Sequence, residues 1–457
     1  MDIKKLTEKY NKAVPRYTSY PPANYFSNKF TPEDYKVAVK ESNLLSPQNV
    51  SIYIHIPFCS KLCFYCGCNT LISQSLKLKR EYIDALKKEI TVISQWIKKD
   101  RTVTQIHWGG GTPNSLESDQ IIEIMELLKK SFSISNNAEI AIECNPAYLN
   151  KPYLLKLLKA GFNRVSLGIQ DFNSDILKGV NRDKSELPVE ELIKIIQKRG
   201  AGVNLDFIYG LPQQTTESFK ETIKQAVALE PDRLVTFSYA HVPWVKPHQS
   251  VLKKESIPSP NEKLEMFSAA WDVITDSKKY IPIGMDHFAK KDDQLSHAYK
   301  NNNLHRNFQG YCTKETTGQV YAFGVSAISQ TERAYAQNTK EIRKYIDNIS
   351  QGIPATEKGL FLSKEEQIVR ELITELMCNN KLVWKNAADH LSSTPEELQR
   401  ITQYSPEKMK EFVDDQLAEA DLNEITIKEA GRFVVRNIAA ILDPKLNSMD
   451  NCFSKSI

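Results

Sequence analysis

Hydrophobic and polar positions in residues 50–240 follow two alternating periods, one typical of β-strands and the other of α-helices. Apolar residues recur at every second position in six segments, 50–57, 104–109, 138–145, 164–170, 203–209 and 233–240. Between them apolar residues recur every three or four positions, which predicts helices over about 79–99, 118–132, 151–160, 187–199 and 217–229. Six β–α units in succession predict parallel strands joined by helical crossovers.

The two faces of these strands differ in polarity. One face is apolar and is expected to pack on the helices: Ile52, Ile54 and Ile56; Ile106 and Trp108; Ile140 and Ile142; Val165, Leu167 and Ile169; Val203, Leu205 and Phe207; Val235 and Phe237. The other face is polar: Tyr53 and His55; Gln105 and His107; Glu139 and Glu143; Ser166 and Gln170; Asn204 and Asp206; Thr236 and Ser238. A closed eight-stranded barrel is filled with branched apolar side chains. The polar face therefore predicts an α/β fold with a six-stranded, incompletely closed barrel around a wet or ligand-filled cavity.

The chain on either side of this region is less regular. Prolines within residues 14–22 exclude a helix there, and we expect residues 1–48 to form an irregular arm. Residues 241–350 contain an amphipathic segment (261–278) and a strand-like segment (281–284), and the pattern from about 355 to 443 is mostly helical. These patterns predict an arm (1–48), a barrel with extensions (49–350) and a mostly helical C-terminal cap (351–457).

Composition and charge narrow the class of function. The 457 residues are 41% hydrophobic and 25% charged, as in ordinary globular proteins, and the net charge of +4 is too small to indicate nucleic acid or an anionic membrane. Residues 361–440 resemble a DNA-binding winged helix in pattern, but they carry 10 basic and 15 acidic residues. No apolar run reaches the roughly 18 residues of a membrane span, and the N-terminus lacks the apolar core of a secretory signal. We therefore expect a cytoplasmic protein without nucleic-acid or membrane partners.

Four of the eight cysteines lie within ten residues, at Cys59, Cys63, Cys66 and Cys68. Clustered thiols in a cytosolic chain favour metal binding or redox chemistry over a disulfide framework. The first three form a C-x3-C-x2-C loop after the first strand, which can ligate three corners of an iron–sulfur cubane and leave the fourth iron open. Zinc is the alternative, although structural zinc prefers two separated ligand pairs and no second pair follows at a suitable distance. The scattered thiols, for which we expect no catalytic role, are Cys144, Cys312, Cys378 and Cys452.

The cysteine loop and the run Gly109-Gly110-Gly111-Thr112-Pro113 after the second strand together resemble the radical S-adenosylmethionine (SAM) enzymes. In that superfamily the amino and carboxylate groups of SAM chelate the open iron. A glycine run lets the backbone approach the methionine part of SAM closely, because glycine has no Cβ.

Further motifs resemble the oxygen-independent coproporphyrinogen III oxidase family over essentially the whole chain. They are Pro15-Arg16-Tyr17-Thr18-Ser19-Tyr20-Pro21, Cys66-Gly67-Cys68-Asn69, Asp171-Phe172-Asn173, Tyr209-Gly210-Leu211-Pro212, Gly284-Met285-Asp286-His287-Phe288, His305-Arg306-Asn307-Phe308-Gln309-Gly310-Tyr311, Gly324-Val325-Ser326-Ala327-Ile328-Ser329 and Arg436-Asn437-Ile438. A departure is Asn145, where an aspartate is expected in some members.

The resemblance implies an oxidoreductase of haem biosynthesis that removes carbon dioxide from two propionates of coproporphyrinogen III, giving protoporphyrinogen IX. It implies a [4Fe–4S] cluster, two SAM molecules per chain, and a 5′-deoxyadenosyl radical that takes hydrogen from the propionate β-carbon. It further implies an external electron donor and acceptor, a monomeric state, and an N-terminal arm covering the active site.

The family's functional residues map onto this sequence as follows. The cluster ligands are Cys59, Cys63 and Cys66. The residues expected to contact SAM are Tyr53, Tyr65, Gly110, Gly111, Thr112, Glu143, Gln170, Arg182, Asp206, Ala240 and Ile328. The residues expected to be catalytic are Tyr53, Cys68, Glu143, Phe308 and Gln309. Because the substrate has four propionates, we also expect Arg16, His305 and Arg306 to bind carboxylates.

Three other functions compete with this interpretation. A haem-binding chaperone of the same fold would lack Cys68 and the Arg16–Pro21 arm, both of which are present. A haem-degrading, methyltransferase-like radical enzyme also departs in the cysteine loop and the arm. A zinc-stabilised interaction protein would contain neither iron nor sulfide.

Overall fold

The computed structural model describes residues 3–446 and 453–456, so Cys452 lies outside the described residues. The strands, in chain order, are β1 Val50–Ile56, β2 Phe58–Cys59, β3 Leu71–Ile72, β4 Thr102–Gly110, β5 Ser133–Cys144, β6 Arg164–Gln170, β7 Gly202–Tyr209, β8 Arg233–Ser238, β9 Tyr280–Ile283, β10 His287–Lys290, β11 Leu304–Asn307, β12 Gly310–Thr313, β13 Gln319–Phe323, β14 Ile328–Gln330, β15 Ala334–Asn338, β16 Thr356–Phe361, β17 Lys381–Val383, β18 Ala418–Ala420 and β19 Glu424–Ile427.

The α-helices are α1 Ile3–Tyr10, α2 Pro32–Ser42, α3 Leu76–Ser94, α4 Ser118–Ser131, α5 Lys151–Ala160, α6 Ser174–Gly179, α7 Val189–Lys198, α8 Thr216–Ala228, α9 Pro260–Asp276, α10 Gln294–Lys300, α11 Ile342–Ser350, α12 Lys364–Asn379, α13 Trp384–Leu391, α14 Pro395–Thr402, α15 Pro406–Asp414 and α16 Val435–Ala439. Local signals set their ends. Ser259 and Glu262 form a capping box at the start of α9, and Gly161, with φ of 108°, ends α5 in the left-handed conformation. Within the described residues, no helix is both long and apolar enough to cross a membrane.

A twelve-stranded sheet forms the centre of the fold, with the strand order β16-β15-β14-β13-β1-β4-β5-β6-β7-β8-β10-β9. The six predicted strands lie side by side within it, in chain order and parallel, which confirms the predicted architecture. Strand β13 adds a seventh parallel strand beside β1, with Val50 opposite Gln319. The pattern of residues 241–350 did not predict β13, because its partner lies about 270 residues earlier in the chain and its pairing is set by tertiary structure.

The apolar faces of the first five predicted strands pack against the helices, as expected. Ile52, Ile54 and Ile56 of β1, for example, are at most 1% exposed and belong to the main core. The prediction for β8 was wrong for three of its four residues, since only Ser238 lines the cavity as expected. Val235 pairs with Asp206 and lines the central cavity together with Phe237, whereas Thr236 points away, and its backbone N–H donates to the carbonyl of Asp286. Polarity alone could not orient this strand, because part of the cavity wall is apolar.

Four buried charged residues close one end of the barrel. Arg233 Nε lies 3.0 Å from Asp293 Oδ2, and Arg164 Nε lies 2.8 Å from Glu139 Oε2. Arg233 Nη2 also approaches Glu139 Oε2 at 3.4 Å, which joins the two pairs. Burial alone would raise the pKa of Glu139, but the two guanidinium groups outweigh it and lower that pKa to about 2. Two positive and two negative charges thus take the place of the apolar layers of a closed barrel.

The N-terminal arm is more regular than predicted. Residues 14–22 contain no helix, as their prolines require, but α1 and α2 show that the expectation of an irregular segment 1–48 was wrong. Helix α1 is stabilised by tertiary contacts, since the Tyr10 ring stacks on Phe412 at 5.0 Å and Lys9 pairs with Asp415. Eight residues are too few for a stable helix in isolation, which explains why the local pattern missed it.

The C-terminal region is mostly helical and has its own apolar core. This core is built from α12–α16 and includes Leu6, Tyr10, Val14, Tyr17 and Tyr20 of the arm. A small antiparallel sheet in the order β17-β19-β18 was not predicted. Strand β16, beyond residue 350, pairs with β15 in the central sheet.

We expect Arg233→Met to lower the free energy of unfolding by about 3–5 kcal/mol, because it leaves Asp293 buried without its nearest cation. Urea denaturation measures this. The matched control is Lys194→Met, which removes an exposed pair with Glu190 and is expected to leave the free energy of unfolding nearly unchanged. Equal losses in the two variants would contradict a structural role for the buried charges.

Candidate active site

A cavity of ≈ 480 Å³ runs along the inner face of the parallel strands, from the buried charges at one end to the carboxyl ends of the strands at the other. The loops that follow these strands form its upper wall. Carboxyl ends of parallel strands are where the loops of α/β barrels gather functional groups. The polar strand face predicted from the sequence is therefore the face of a cavity.

The cysteine loop forms part of this wall. Cys59 Sγ lies 3.3 Å from Thr112 Oγ1, and Arg182 Nη1 lies 3.8 Å from Cys63 Sγ. Burial raises the pKa of the Cys59 thiol to about 11, whereas the hydrogen bond with Cys68 lowers the pKa of the Cys66 thiol to about 6. A thiolate is the form that ligates metals. The surroundings favour it at Cys66, whereas at Cys59 burial outweighs the opposing effects of Thr112 and Arg182.

A second loop, residues 241–249, covers the backbone of the cysteine loop. Its side chains donate to carbonyl groups there: Lys246 Nζ to Cys68 O at 2.7 Å, Gln249 Nε2 to Tyr65 O at 3.0 Å, and His248 Nε2 bonds Cys66 O at 2.8 Å. These contacts fix the loop from outside and leave its thiols to the cavity.

The glycine run at the end of β4 is required by close contacts within the protein. A Cβ on Gly109 would lie 2.7 Å from Glu143 Oε1, and a Cβ on Gly111 would lie 2.6 Å from the carbonyl oxygen of Pro57. Gly110 has a φ of 115°, which is accessible to glycine and strained for other residues. The run thus brings β4 against the start of the cysteine loop and makes room for the Glu143 carboxylate.

Glu143 is positioned by a histidine that the sequence analysis placed on the polar face but assigned no function. His107 Nε2 lies 2.8 Å from Glu143 Oε1, and the Tyr53 ring stacks on His107 with centroids 6.0 Å apart. Burial lowers the pKa of His107, but the hydrogen bond and charge of Glu143 outweigh burial and raise that pKa overall. The pair faces the cavity, where Glu143 can accept a hydrogen bond or neutralise a cation.

Two further polar residues complete the upper wall. Asp206 accepts a hydrogen bond from Ser166 Oγ at 2.7 Å, and burial raises the pKa of its carboxyl group to about 6. Gln170 ends β6 with a φ of 70°, and its buried Oε1 atom has no hydrogen-bond partner. Strained backbone and an unpartnered buried acceptor at a cavity wall are typical of a ligand site.

The cavity brings together most of the residues singled out from the sequence. Those that line it are Cys59, Cys63, Tyr65, Cys66, Cys68, Gly110, Gly111, Thr112, Glu143, Gln170, Arg182, Asp206, Ala240 and Gln309. Tyr53 lies behind His107, while Phe308 and Ile328 pack in a small apolar cluster around Tyr335.

The three residues expected to bind carboxylates differ in placement. Arg16 lines the cavity, but His305 does not, and burial lowers the pKa of His305 to about 4. The Arg306 guanidinium donates to the backbone carbonyls of Arg16 and Tyr17. It therefore holds the arm, a role that a motif cannot reveal because backbone acceptors carry no sequence signal.

The residues present fit a cubane cluster better than a single metal ion. Among residues 3–446 and 453–456, no group of three or more His, Cys, Asp or Glu converges as a single ion requires. A cubane is held at three different iron atoms, so its thiolates surround open space instead of one point. The three thiols border the cavity, and the unpartnered Gln170 Oε1 lies on its wall.

Comparison with known proteins agrees with this geometry. The family model of the radical SAM superfamily matches residues 53–226. An oxygen-independent coproporphyrinogen III oxidase from Synechocystis sp. is 39% identical, with 99% of this chain and 97% of the relative covered. That of Escherichia coli is also 39% identical, covering 96% of this chain and 95% of the relative.

This chain belongs to the oxygen-independent coproporphyrinogen III oxidase family. The solved structure of coproporphyrinogen III oxidase (HemN) from Escherichia coli, a radical SAM enzyme, superposes with a TM-score of 0.88 at 36% identity, over 95% of this chain and 100% of that chain. Membership implies a [4Fe–4S] cluster and SAM as cofactors, and the cysteine loop and polar cavity described above suit both.

We expect Gly109→Ala to weaken SAM binding about 10- to 100-fold, because the added Cβ displaces the Glu143 carboxylate from His107 at a cost of about 1–3 kcal/mol. Equilibrium dialysis with the reconstituted holoenzyme measures the affinity. In the control Gly179→Ala the nearest atom is 4.0 Å away, and we expect unchanged binding. Unchanged binding in Gly109→Ala as well would contradict the role of Glu143.

Proposed function

We propose that this enzyme removes carbon dioxide from two propionates of coproporphyrinogen III, giving two vinyl groups and protoporphyrinogen IX. The observation that carries the proposal is full-length similarity to coproporphyrinogen III oxidases together with a cavity that collects the cysteine loop, the glycine run and Glu143. Each propionate loses carbon dioxide, one hydrogen atom and one electron. The electron lost by the propionate needs an acceptor, and an external donor is needed to reduce the cluster before SAM can be cleaved.

In this proposal Cys59, Cys63 and Cys66 hold the cluster. SAM contacts are assigned to Tyr65, Gly110, Gly111, Thr112, Glu143, Gln170, Arg182, Asp206 and Ala240 on the cavity wall, with Tyr53 and Ile328 behind it. When bound, the cluster would supply the electron that cleaves SAM, and SAM would supply the radical that takes hydrogen from the propionate. We propose two SAM molecules for each chain, the number that the resemblance to this family implies.

The protein's own contribution is positioning and exclusion of water. Glu143, fixed by His107, and Asp206, fixed by Ser166, place two carboxylates where a sulfonium or ribose hydroxyl can bind. Arg182 is half-buried, donates to Gly168 O and lines the cavity, where its guanidinium can pair with a carboxylate. Holding the reacting groups in such fixed geometry converts the reaction to an effectively unimolecular step.

We propose a catalytic role for Cys68 and Gln309, which line the same cavity, and for Phe308 beside it. Cys68 is not one of the three cluster ligands, but its thiol forms a hydrogen bond with the thiol of Cys66. The alternative of a haem-handling chaperone is not favoured, because the full-length relatives are named as oxidases. We also propose a cytoplasmic monomer.

We expect anaerobically reconstituted enzyme, given reductant and SAM, to yield a tetrapyrrole with two fewer carboxyl groups, read by chromatography with mass detection. Cys63→Ala should lose both cluster iron and turnover. Cys68→Ser should keep its iron but lose turnover. The control Cys378→Ala removes a buried thiol outside the cavity lining and should retain both. Cleavage of SAM with unchanged coproporphyrinogen would leave the cluster assignment intact and contradict the substrate.

We expect SAM affinity to fall as the pH drops below about 6, where the half-buried Asp206 carboxyl becomes protonated and loses its charge. Because the pKa is raised above its usual value, the fall begins at a higher pH than for an exposed aspartate. Equilibrium dialysis between pH 5 and 8 measures this. Asp206→Asn should bind weakly at every pH, and an unchanged pH profile in that variant would exclude Asp206 as the titrating group.

A further inference from the structure

Four cations cluster where the arm meets the barrel and the C-terminal core. They are Arg16 of the arm, Lys263 of α9, Arg306 of β11 and Arg436 of α16. Among the described residues none of them pairs with a carboxylate. Arg436 Nε donates to the carbonyl of Pro15 at 3.1 Å, and Lys263 Nζ donates to that of Tyr239 at 3.1 Å.

These positive charges act on one another. Burial, then Arg16 and Arg436, lower the pKa of Lys263 to about 8, and burial, then Arg16 and Arg306, lower that of Arg436 to about 9. The carboxylate of Asp286 faces the cluster, but it is bound to His287 Nδ1 at 2.6 Å. One such carboxylate leaves several positive charges without compensation, and buried uncompensated charge is costly.

Of the four cations, Arg16 is the one that lines the cavity. Arg16 lines the cavity and is exposed, whereas Arg306 is 8% exposed and Arg436 is 7% exposed. The Nε atom of Arg306 is buried without a hydrogen-bond partner. The Arg306 guanidinium donates a hydrogen bond to the backbone carbonyl of Arg16, which fixes the backbone from which the Arg16 side chain extends. The planar guanidinium of Arg16, at the cavity wall, is suited to bind a carboxylate through two hydrogen bonds.

We propose that Arg16 binds a propionate carboxylate of the tetrapyrrole at the rim of the cavity, with Lys263, Arg306 and Arg436 supplying positive potential behind it. This inference rests on the proposed function for the identity of the substrate. From the sequence we expected Arg16, His305 and Arg306 all to bind carboxylates. In this proposal only Arg16 contacts the substrate, Arg306 is a positioning residue, and His305 takes no part.

The test is fluorescence titration of the anaerobic holoenzyme with coproporphyrin III, the oxidised tetrapyrrole that keeps all four propionates. Arg16→Gln should raise its Kd about 10- to 100-fold, as expected for a lost charged hydrogen bond. Arg16→Lys should recover part of this affinity. The control Lys12→Gln removes an exposed cation of the same arm outside the cavity lining and should leave Kd unchanged.

Three further readouts separate carboxylate binding from a structural effect. The tetramethyl ester of coproporphyrin III should bind wild type and Arg16→Gln equally, because it carries no charge for Arg16 to meet. In turnover, Arg16→Gln should raise KM for coproporphyrinogen with kcat changed less than about twofold, and the wild-type Kd should weaken more steeply with salt than that of the variant.

The proposal is overturned if Arg16→Gln and Lys12→Gln have the same Kd for coproporphyrin III, or if Arg16→Gln weakens the ester and the acid alike. Its failure is distinguishable from failure of the proposed function. Binding that depends on Arg16 without turnover in the wild type supports the carboxylate site and contradicts the reaction. Turnover with an unchanged KM in Arg16→Gln contradicts the site and supports the reaction.

Discussion

Charges buried inside the barrel need partners, and that requirement shapes much of the remaining structure. At one end, Arg164 and Arg233 meet Glu139 and Asp293, and these four groups fill the space that apolar layers would occupy in a closed barrel. Toward the other end the polar residues are only partly matched. Glu143 has His107 and Asp206 has Ser166, but Gln170 Oε1 has no partner. Polar groups with protein partners thus lie at one end of the cavity, and polar groups that lack them lie toward the other end, where ligands can supply the missing partners.

Two loops, the glycine run and residues 241–249, hold the cysteine loop in place while its thiols remain open to the cavity. The glycine run lets β4 pass close to Pro57 and Glu143, while Lys246, His248 and Gln249 bind the cysteine loop through its carbonyls. Contacts to backbone leave the sulfur atoms available to the cavity. These hydrogen bonds hold the thiols in place more precisely than the cysteine loop could without them.

The N-terminal arm belongs structurally to the C-terminal region. Tyr17 and Tyr20 donate to the two oxygens of Asp443, and Arg436 binds carbonyls of residues 14 and 15. The arm therefore connects the helical region to the rim of the barrel. This connection places Arg16 at the cavity, far in sequence from the other residues that line it.

Local periodicity determined the six parallel strands, most helices between them and the polar cavity face, because side chains alternate with fixed periods of 2 and 3.6 residues. The cysteine spacing and the glycine run determined where the chemistry would lie. Tertiary structure decided the rest. It added β13 through a partner far away in the chain, stabilised α1 against Phe412, and turned Val235 inward beside Asp206. It also joined His107 to Glu143 and made Arg306 a clamp for the arm. These features depend on which surfaces meet in three dimensions, and a single residue's type and local period carry no record of such contacts.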